Sequence, residues 1–309
     1  MVSNCAKRFG RCLPAQIMLL LGCCLGLSLA AARAAENPGF RRIVTEPALL
    51  ANGSPFLLTV EPVEKVSSIQ GSWLGKDVLF FKAQPGTNAW YALAGVDVET
   101  SPGTDPLTIE ATTADGGELH ATLEVAITAA HYRTGTLTVA PNFVEPDVAT
   151  QKEIAADKVV KDRVFAHSAP TPEWSGDFAK PVQAPPTDSF GTRRTFNGKL
   201  ASIHRGMDFR APSGTPVAAA NSGTVVLAQK LFYEGNCVVI DHGQGFMTLY
   251  MHLSRIEVAS GDKVRKGQRL GLSGATGRVT GPHLHFAARW HDAYLDPAGL
   301  FRLGLAGKH

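Results

Sequence analysis

From Asn37 to about Pro146 the chain alternates short apolar runs with turn residues. Phe56-Leu-Leu-Thr-Val60, Val78-Leu-Phe-Phe81 and Ala89-Trp-Tyr-Ala-Leu93 are bounded by Gly, Pro, Asn and Asp. Leu107 and Ile109 alternate with polar neighbours, as do Leu123, Val125 and Ile127, and Asp115-Gly116-Gly117 between them reads as a hairpin turn. About seven short strands at this spacing predict an immunoglobulin-like β-sandwich over residues 37–146. The period then changes. Thr150-Gln-Lys-Glu153 matches a capping box and predicts a helix running to about Val164, with Ala156, Val160 and Val164 on one stripe. Pro170, Pro172, Pro181, Pro185 and Pro186 follow, so residues 147–187 read as a helix and a stiff Pro-rich spacer. From Asp188 to about residue 303 the pattern is again mostly β. The runs are Pro216–Ala218, Gly223–Leu227, Cys237–Asp241, Phe246–His252, Arg269–Leu272 and His283–Arg289, with dense glycine suited to antiparallel turns. The fold class expected is therefore mainly β: a sandwich, one connecting helix and a C-terminal antiparallel β domain.

The start of the chain has a different character. Lys7, Arg8 and Arg11 precede an apolar run from about Leu13 to Ala32, and Ala32-Arg33-Ala34 fits a small-x-small cleavage site. Residues 1–34 thus read as a secretory signal peptide, which points to export into the periplasm. Two other readings stay open. The run is almost long enough to remain as an inner-membrane anchor facing the periplasm, with transient membrane association. Leu20-Leu-Gly-Cys23 also resembles a lipoprotein box, although apolar sequence continues beyond Cys23.

This segment changes the meaning of the composition. Of 30 Lys+Arg and 27 Asp+Glu, residues 1–34 hold four basic residues and no acidic one, which leaves 26 against 27 in the rest. A pI raised by a leader gives no support for a nucleic-acid partner. Cys5, Cys12, Cys23 and Cys24 all lie in the leader, so a mature chain keeps only Cys237, in an apolar run, and forms no internal disulfide. Its stability must then come from packed cores.

Two fragments of the C-terminal domain carry the candidate chemistry. His204-Arg-Gly-Met-Asp208 is followed about 75 residues later by His283-Leu-His285. Residues i and i+2 of a strand share a face, so the two imidazoles of His283 and His285 would stand about 6–7 Å apart. Gly206, Pro212, Gly214 and Pro216 argue against a helix around His204 and for an irregular segment that lets His204 and Asp208 reach one ion. Two imidazoles and a carboxylate favour Zn²⁺, and three protein ligands leave a position for water, as in catalytic sites. His252 ends Thr248-Leu-Tyr-Met-His252 and is in phase with Thr248 and Tyr250. A metallohydrolase needs proton acceptors and donors beside its metal, and no H-E-x-x-H motif is present, so the spare histidines, His252 and His283, are the candidates. Taken singly, each fragment is commonplace, and His252 alone would read as a core histidine and His242 as a turn residue. Their co-occurrence in one exported β-domain is what points to a metal site. A non-haem iron oxygenase uses the same ligand types.

The run from Asp188 to about Leu300 resembles the lysostaphin-type zinc metallopeptidases. The resemblance rests on Ser189-Phe-Gly-Thr-Arg193, His204–Asp208, Pro212–Val217, Val238–Gly243, Tyr250–Ser254, Gly261–Gln268, Gly274–Arg278 and Thr280–Phe286. It implies a β-rich peptidase domain that hydrolyses peptide bonds in bacterial peptidoglycan. It also implies one zinc held by His204, Asp208 and His285, with His252 and His283 as the catalytic pair, and peptidoglycan peptides as partner. Residues 37–164 more diffusely resemble the β-sandwich and helix that precede this domain in Gram-negative-type members. Some relatives have lost their ligands and only activate cell-wall amidases, so a non-catalytic wall-binding or amidase-activating module is the alternative. Neither residues nor resemblance separates a D-Ala–diaminopimelate cross-link from other wall peptide bonds.

Overall fold

The structure, a computed structural model, describes residues 38–82 and 86–307, and residues 36–309 form one compact unit. The leader expected at residues 1–34 lies outside the described residues, with its four cysteines. Among the described residues no helix is long and apolar enough to cross a membrane.

The protein is mainly β. Eight strands come first: β1 Phe40–Glu46, β2 Leu50–Ala51, β3 Pro55–Pro62, β4 Val66–Trp73, β5 Lys76–Leu79, β6 Trp90–Gly95, β7 Gly103–Thr113 and β8 Glu118–Thr128. They form a three-stranded sheet ordered β1-β3-β6 and a five-stranded sheet ordered β2-β8-β7-β4-β5. In β7 the alternation is clean: Leu107, Ile109 and Ala111 are buried, while Glu110 is exposed. In the central strand β3 the run from Phe56 to Val60 is buried throughout, which is why it reads as continuous rather than alternating. Trp73 stands edge-on to Phe56, with ring centroids 5.9 Å apart, and its indole N–H donates to the Gly95 carbonyl at 3.0 Å.

β9 (Thr134–Leu137) leaves the sandwich. It pairs in parallel with β11 (Arg193–Phe196), which pairs in turn with β12 (Leu200–Ile203). Between these lie α1 (Val148–Phe165) and β10 (Pro186–Asp188). The helix begins earlier than its capping-box pattern predicts. Asp147 is the N-cap, and its carboxylate accepts the Thr150 N–H at 2.8 Å. Ala156 is exposed, and the helix rests instead on Val160, Val164 and Phe165, packed against Leu227, Val239, Met247 and Ala287.

The Pro-rich segment is not a spacer. Trp174, Phe178 and Val182 are buried in the main core, and Trp174 meets Phe81 edge-on at 5.3 Å. Its backbone is stitched down as well: Glu173 N–H donates to the His242 carbonyl, Ala179 N–H to Ala220, and Ala218 N–H to Pro181. Three large apolar side chains spaced four residues apart outweigh the prolines' tendency to stand free.

The remaining strands are β13 Met207–Phe209, β14 Pro216–Ala218, β15 Gly223–Leu231, β16 Gly235–Asp241, β17 Phe246–Ile256, β18 Lys263–Val264, β19 Arg269–Ser273, β20 Leu284–Trp290 and β21 Ala293–Leu295, and α2 (Pro297–Leu300) closes the domain. One large sheet runs β10-β13-β20-β17-β16-β15-β18, with β14, β19 and β21 attached. The sandwich is joined to it directly. Asp296 N–H donates to the Gly53 carbonyl at 2.7 Å, Tyr294 N–H to Asp97 Oδ2 at 2.7 Å, and Arg205 pairs with Glu99. His242, read from sequence as a turn residue, is fully buried, with Nδ1–H donating to the Ser222 carbonyl at 2.7 Å and Nε2 2.8 Å from Thr248 Oγ1. Cys237 is a buried free thiol whose pKa burial pushes far up, which makes it a poor nucleophile.

Candidate metal centre

Sheet register assembles the site. In the antiparallel pair of β13 and β20, Asp208 stands directly opposite His285. On the other flank of β20, His285 stands opposite Met251 of β17. His204 lies just before β13, where its N–H donates to the Thr192 carbonyl at 2.9 Å. Gly206, between them, has no room for a side chain. A methyl there would meet His285 Nε2 and lie 2.6 Å from the Phe286 carbonyl oxygen.

His252 reaches the same place by a different device. Strict alternation along β17 would put it on the face of Tyr250, away from Met251 and His285, and the in-phase reading of Thr248, Tyr250 and His252 fails for this reason. The β16–β17 register shifts by one residue between the pairs Val238/Tyr250 and Asn236/Leu253. His252 takes up the extra residue with φ +66°, a left-handed backbone that non-glycine residues seldom adopt. Its N–H is held by the Glu234 carbonyl at 2.9 Å. The bulge re-aims the ring, which lies 5.9 Å from His285 and 5.0 Å from His283 between centroids. His283 immediately precedes β20 and forms an isolated antiparallel bridge with Gly274, the residue after β19.

Three candidate ligand atoms converge. His204 Nε2, Asp208 Oδ1 and His285 Nδ1 are 2.8–3.0 Å apart in each pairing, and all three residues are largely buried. The neighbours set which ring nitrogen faces inward. The Ser189 carbonyl accepts from His204 Nδ1 at 2.8 Å, so Nε2 is the free lone pair. The Thr276 carbonyl accepts from His252 Nδ1 at 2.8 Å, and the Gly281 carbonyl from His283 Nδ1 at 2.8 Å. Both rings therefore turn Nε2 inward, and that of His283 lies 3.6 Å from Asp208 Oδ1. The other oxygen of Asp208 is taken. Arg194 donates to Asp208 Oδ2 at 2.7 Å and to Asp188 Oδ2 at 2.6 and 3.0 Å. Nothing local in the sequence marks Asp188 and Arg194, since both act across strands.

The electrostatics follow from burial and crowding. Burial opposes ionisation of Asp208, but hydrogen bonds from and electrostatic coupling to the His204 and His285 rings outweigh it and hold the carboxyl far below the usual range. Burial, then repulsion from His285 and His283, pushes His252 down to about 3 against the pull of the Thr276 carbonyl. Burial brings His285 to about 4 despite its bond to Asp208. Both rings are thus neutral at neutral pH, with lone pairs to offer.

The donor set fits a small divalent cation. Bonds of about 2.0–2.1 Å to zinc place tetrahedral ligands roughly 3.3 Å apart, close to the spacing here. Without a cation, three acceptors aimed at one point would repel one another or share protons. The site opens on a groove of about 1350 Å³, lined by β9, β11, β12, the loop before β20 and Glu99 of the sandwich.

Comparison with known proteins identifies the domain that carries this cluster. Residues 202–297 match the model of peptidase family M23. The peptidoglycan DD-endopeptidase ShyA of Vibrio cholerae is 56% identical over 88 residues, covering 28% of this chain and 20% of the relative. The DD-carboxypeptidase/endopeptidase Mpg of Neisseria meningitidis is 43% identical over 98 residues, or 32% and 23% of the two chains. The matched region is thus about a fifth of the length of these curated relatives. A crystal structure of a Pseudomonas aeruginosa peptidase M23 protein aligns over 81% of this chain and 94% of that one, with 29% identity and a TM-score of 0.61. Residues 202–297 are therefore a domain of peptidase family M23, the lysostaphin-type metallopeptidases.

Proposed function

We propose that this protein is a zinc-dependent endopeptidase that hydrolyses peptide bonds in bacterial peptidoglycan outside the cytoplasm, in the periplasm. The observation that carries the reading is the convergence of His204 Nε2, Asp208 Oδ1 and His285 Nδ1, with the inward-turned rings of His252 and His283 beside them. His204, Asp208 and His285 would hold one Zn²⁺ per chain. The chemistry zinc supplies in such a site is Lewis-acid polarisation of the scissile carbonyl and acidification of water.

The chain's own groups do the rest. His252, neutral and fixed by the Thr276 carbonyl, accepts a proton or a hydrogen bond at Nε2. His283, fixed by the Gly281 carbonyl, presents its Nε2 on the groove side, where it steadies the developing oxyanion or passes a proton to the leaving amine. Arg194 holds Asp208 Oδ2, so a single oxygen, Oδ1, would be left to ligate an ion. The alternative of an amidase activator is the weaker one: the clustering of all five side chains supports a catalytic reading, whereas a module that only binds needs none of them.

The test is digestion of defined cross-linked muropeptides by the zinc-loaded protein, followed by mass spectrometry, with His204→Ala and His283→Ala beside it. Cleavage is expected, with His204→Ala losing metal and activity together and His283→Ala keeping zinc but losing turnover. Intact muropeptides would refute the enzyme, metal loss in His283→Ala would reverse the ligand assignment, and iron with oxygen-dependent turnover would replace zinc hydrolysis altogether.

A further inference from the structure

We propose that Arg278 forms a carboxylate-binding subsite beside the candidate catalytic centre, selecting peptides with a free carboxylate next to the scissile amide. The inference rests on the peptidase reading and deepens it. Four of the cations that line the groove can be sorted by what holds them. Arg194 is bound by Asp188 and Asp208, Arg205 by Glu99, and Lys161 by Glu234 at 2.5 Å. Arg278 has no carboxylate or carbonyl on its guanidinium among the described residues. Its charge instead lies over two rings, 4.5 Å from the centroid of Phe196 and 4.6 Å from that of Tyr233. Arg193 and Arg210 are also unpaired among the described residues, but both are exposed, and solvated surface cations need no ligand.

Stacking engages only the faces of a guanidinium. The N–H edge stays available and lies in the plane suited to a bidentate carboxylate. Glu234 attracts Arg278 through space, but one of its oxygens is on Lys161 and neither is hydrogen-bonded to the guanidinium. A half-buried cation with fixed faces and an unused edge is organised before any ligand arrives, which lowers the cost of binding an anion.

Its position points to the substrate rather than to a distant anion. Arg278 N–H donates to the Tyr233 carbonyl at 2.9 Å. The next residue of that turn, Glu234, accepts the His252 N–H, and Thr276, two residues before Arg278, accepts from the His252 ring. A methyl on Gly277 would strike the backbone of Gly235, so the two loops are locked against each other. His252 and Arg278 therefore hang from one rigid pair of loops, both on the groove wall. In a D-Ala–diaminopimelate cross-link the residue that receives the amide carries its own carboxylate, and Arg278 is a half-buried cation of this wall suited to read it.

The experiment is calorimetric binding of two cross-linked muropeptide dimers to the full chain, one with that carboxylate free and one with it amidated. Hydrolysis rates are followed in parallel. The free form should bind at least tenfold more tightly than the amide, the range of a charge-assisted hydrogen bond. Arg278→Gln should reduce the ratio to near one by weakening only the free form, and Arg278→Lys should restore part of it. Equal binding of both dimers by the unaltered protein would overturn the proposal. So would a ratio that survives Arg278→Gln, or an equal loss of both dimers with a lowered melting temperature, which is the signature of a stacking role alone. Discrimination in binding without hydrolysis would leave the subsite standing and remove the endopeptidase reading instead.

Discussion

Replacing Arg194 by Met tests how the site is held together. The change deletes one hydrogen bond to Asp208 Oδ2 at 2.7 Å and two to Asp188 Oδ2. Two effects on zinc affinity then oppose each other. Removing a cation beside the ligands favours binding of Zn²⁺, but Asp188 already offsets that charge, so the gain is small. Against it, Asp208 is only 6% exposed, and water cannot easily take the place of the guanidinium. Its carboxylate is then free to turn and to offer either oxygen. Losing such an orienting partner typically costs tenfold to a hundredfold in metal affinity, about 1.4–2.7 kcal/mol. The assay is competition for zinc against a chelator of known affinity, with circular dichroism to check folding. Arg194→Lys should recover little, because a single ammonium cannot serve both carboxylates with the geometry of a planar fork. Affinity unchanged or raised in a folded Arg194→Met protein would refute the orienting role.

Gly206→Ala should abolish zinc binding while leaving most of the strand content, since the new methyl presses on His285 and on the Phe286 backbone, and a normal zinc stoichiometry would contradict this. Trp174→Ala should lower stability by about 3–5 kcal/mol, the usual range for emptying a buried aromatic site, as measured by urea unfolding; a cost under 1 kcal/mol would restore the free-spacer picture. Acidification should destabilise the fold through His242. Burial, opposed by the Ser222 carbonyl and the charge of Glu173, pushes it down to about 4. The unfolded chain binds this proton below pH ~6.5, whereas the folded protein refuses it until about pH 4. Stability is therefore fully present above ~6.5 and falls across that window, by roughly 3 kcal/mol at about 1.4 per unit. Denaturant melts between pH 7 and 4 should show this slope, and His242→Gln should flatten it; an identical slope in the variant would assign the effect to other groups.

Much of the strand pattern was legible because it depends on local periodicity. The alternation in β7, the hairpin at Asp115–Gly117 and the apolar run of β16 are properties of neighbouring residues. The helix was visible too, but its cap was displaced by three residues, because Asp147 accepts the Thr150 N–H that the capping-box pattern assigns to the Glu153 carboxylate. The Pro-rich segment misled because proline signals stiffness without saying what the neighbouring Trp174 and Phe178 will pack on. For the site, residue types and spacing brought His204, Asp208, His283 and His285 forward together, and the lysostaphin-type resemblance supplied the roles it implies for them and for His252. They did not indicate how His252 arrives there, since a bulge needs a partner strand to be out of register with.

The sequence by itself determined the chemistry available: which side chains can ligate, accept protons or carry charge, and which stretches must be extended. Tertiary structure decided what those groups do, because convergence is a property of register between strands far apart in the chain. The pairing of Asp208 with His285, the re-aimed ring of His252, the diversion of Arg194 onto Asp188 and Asp208, and the edge left free on Arg278 all follow from that register. None of them is encoded within one segment, since a side chain's partner is set by whatever the folded sheet brings opposite it.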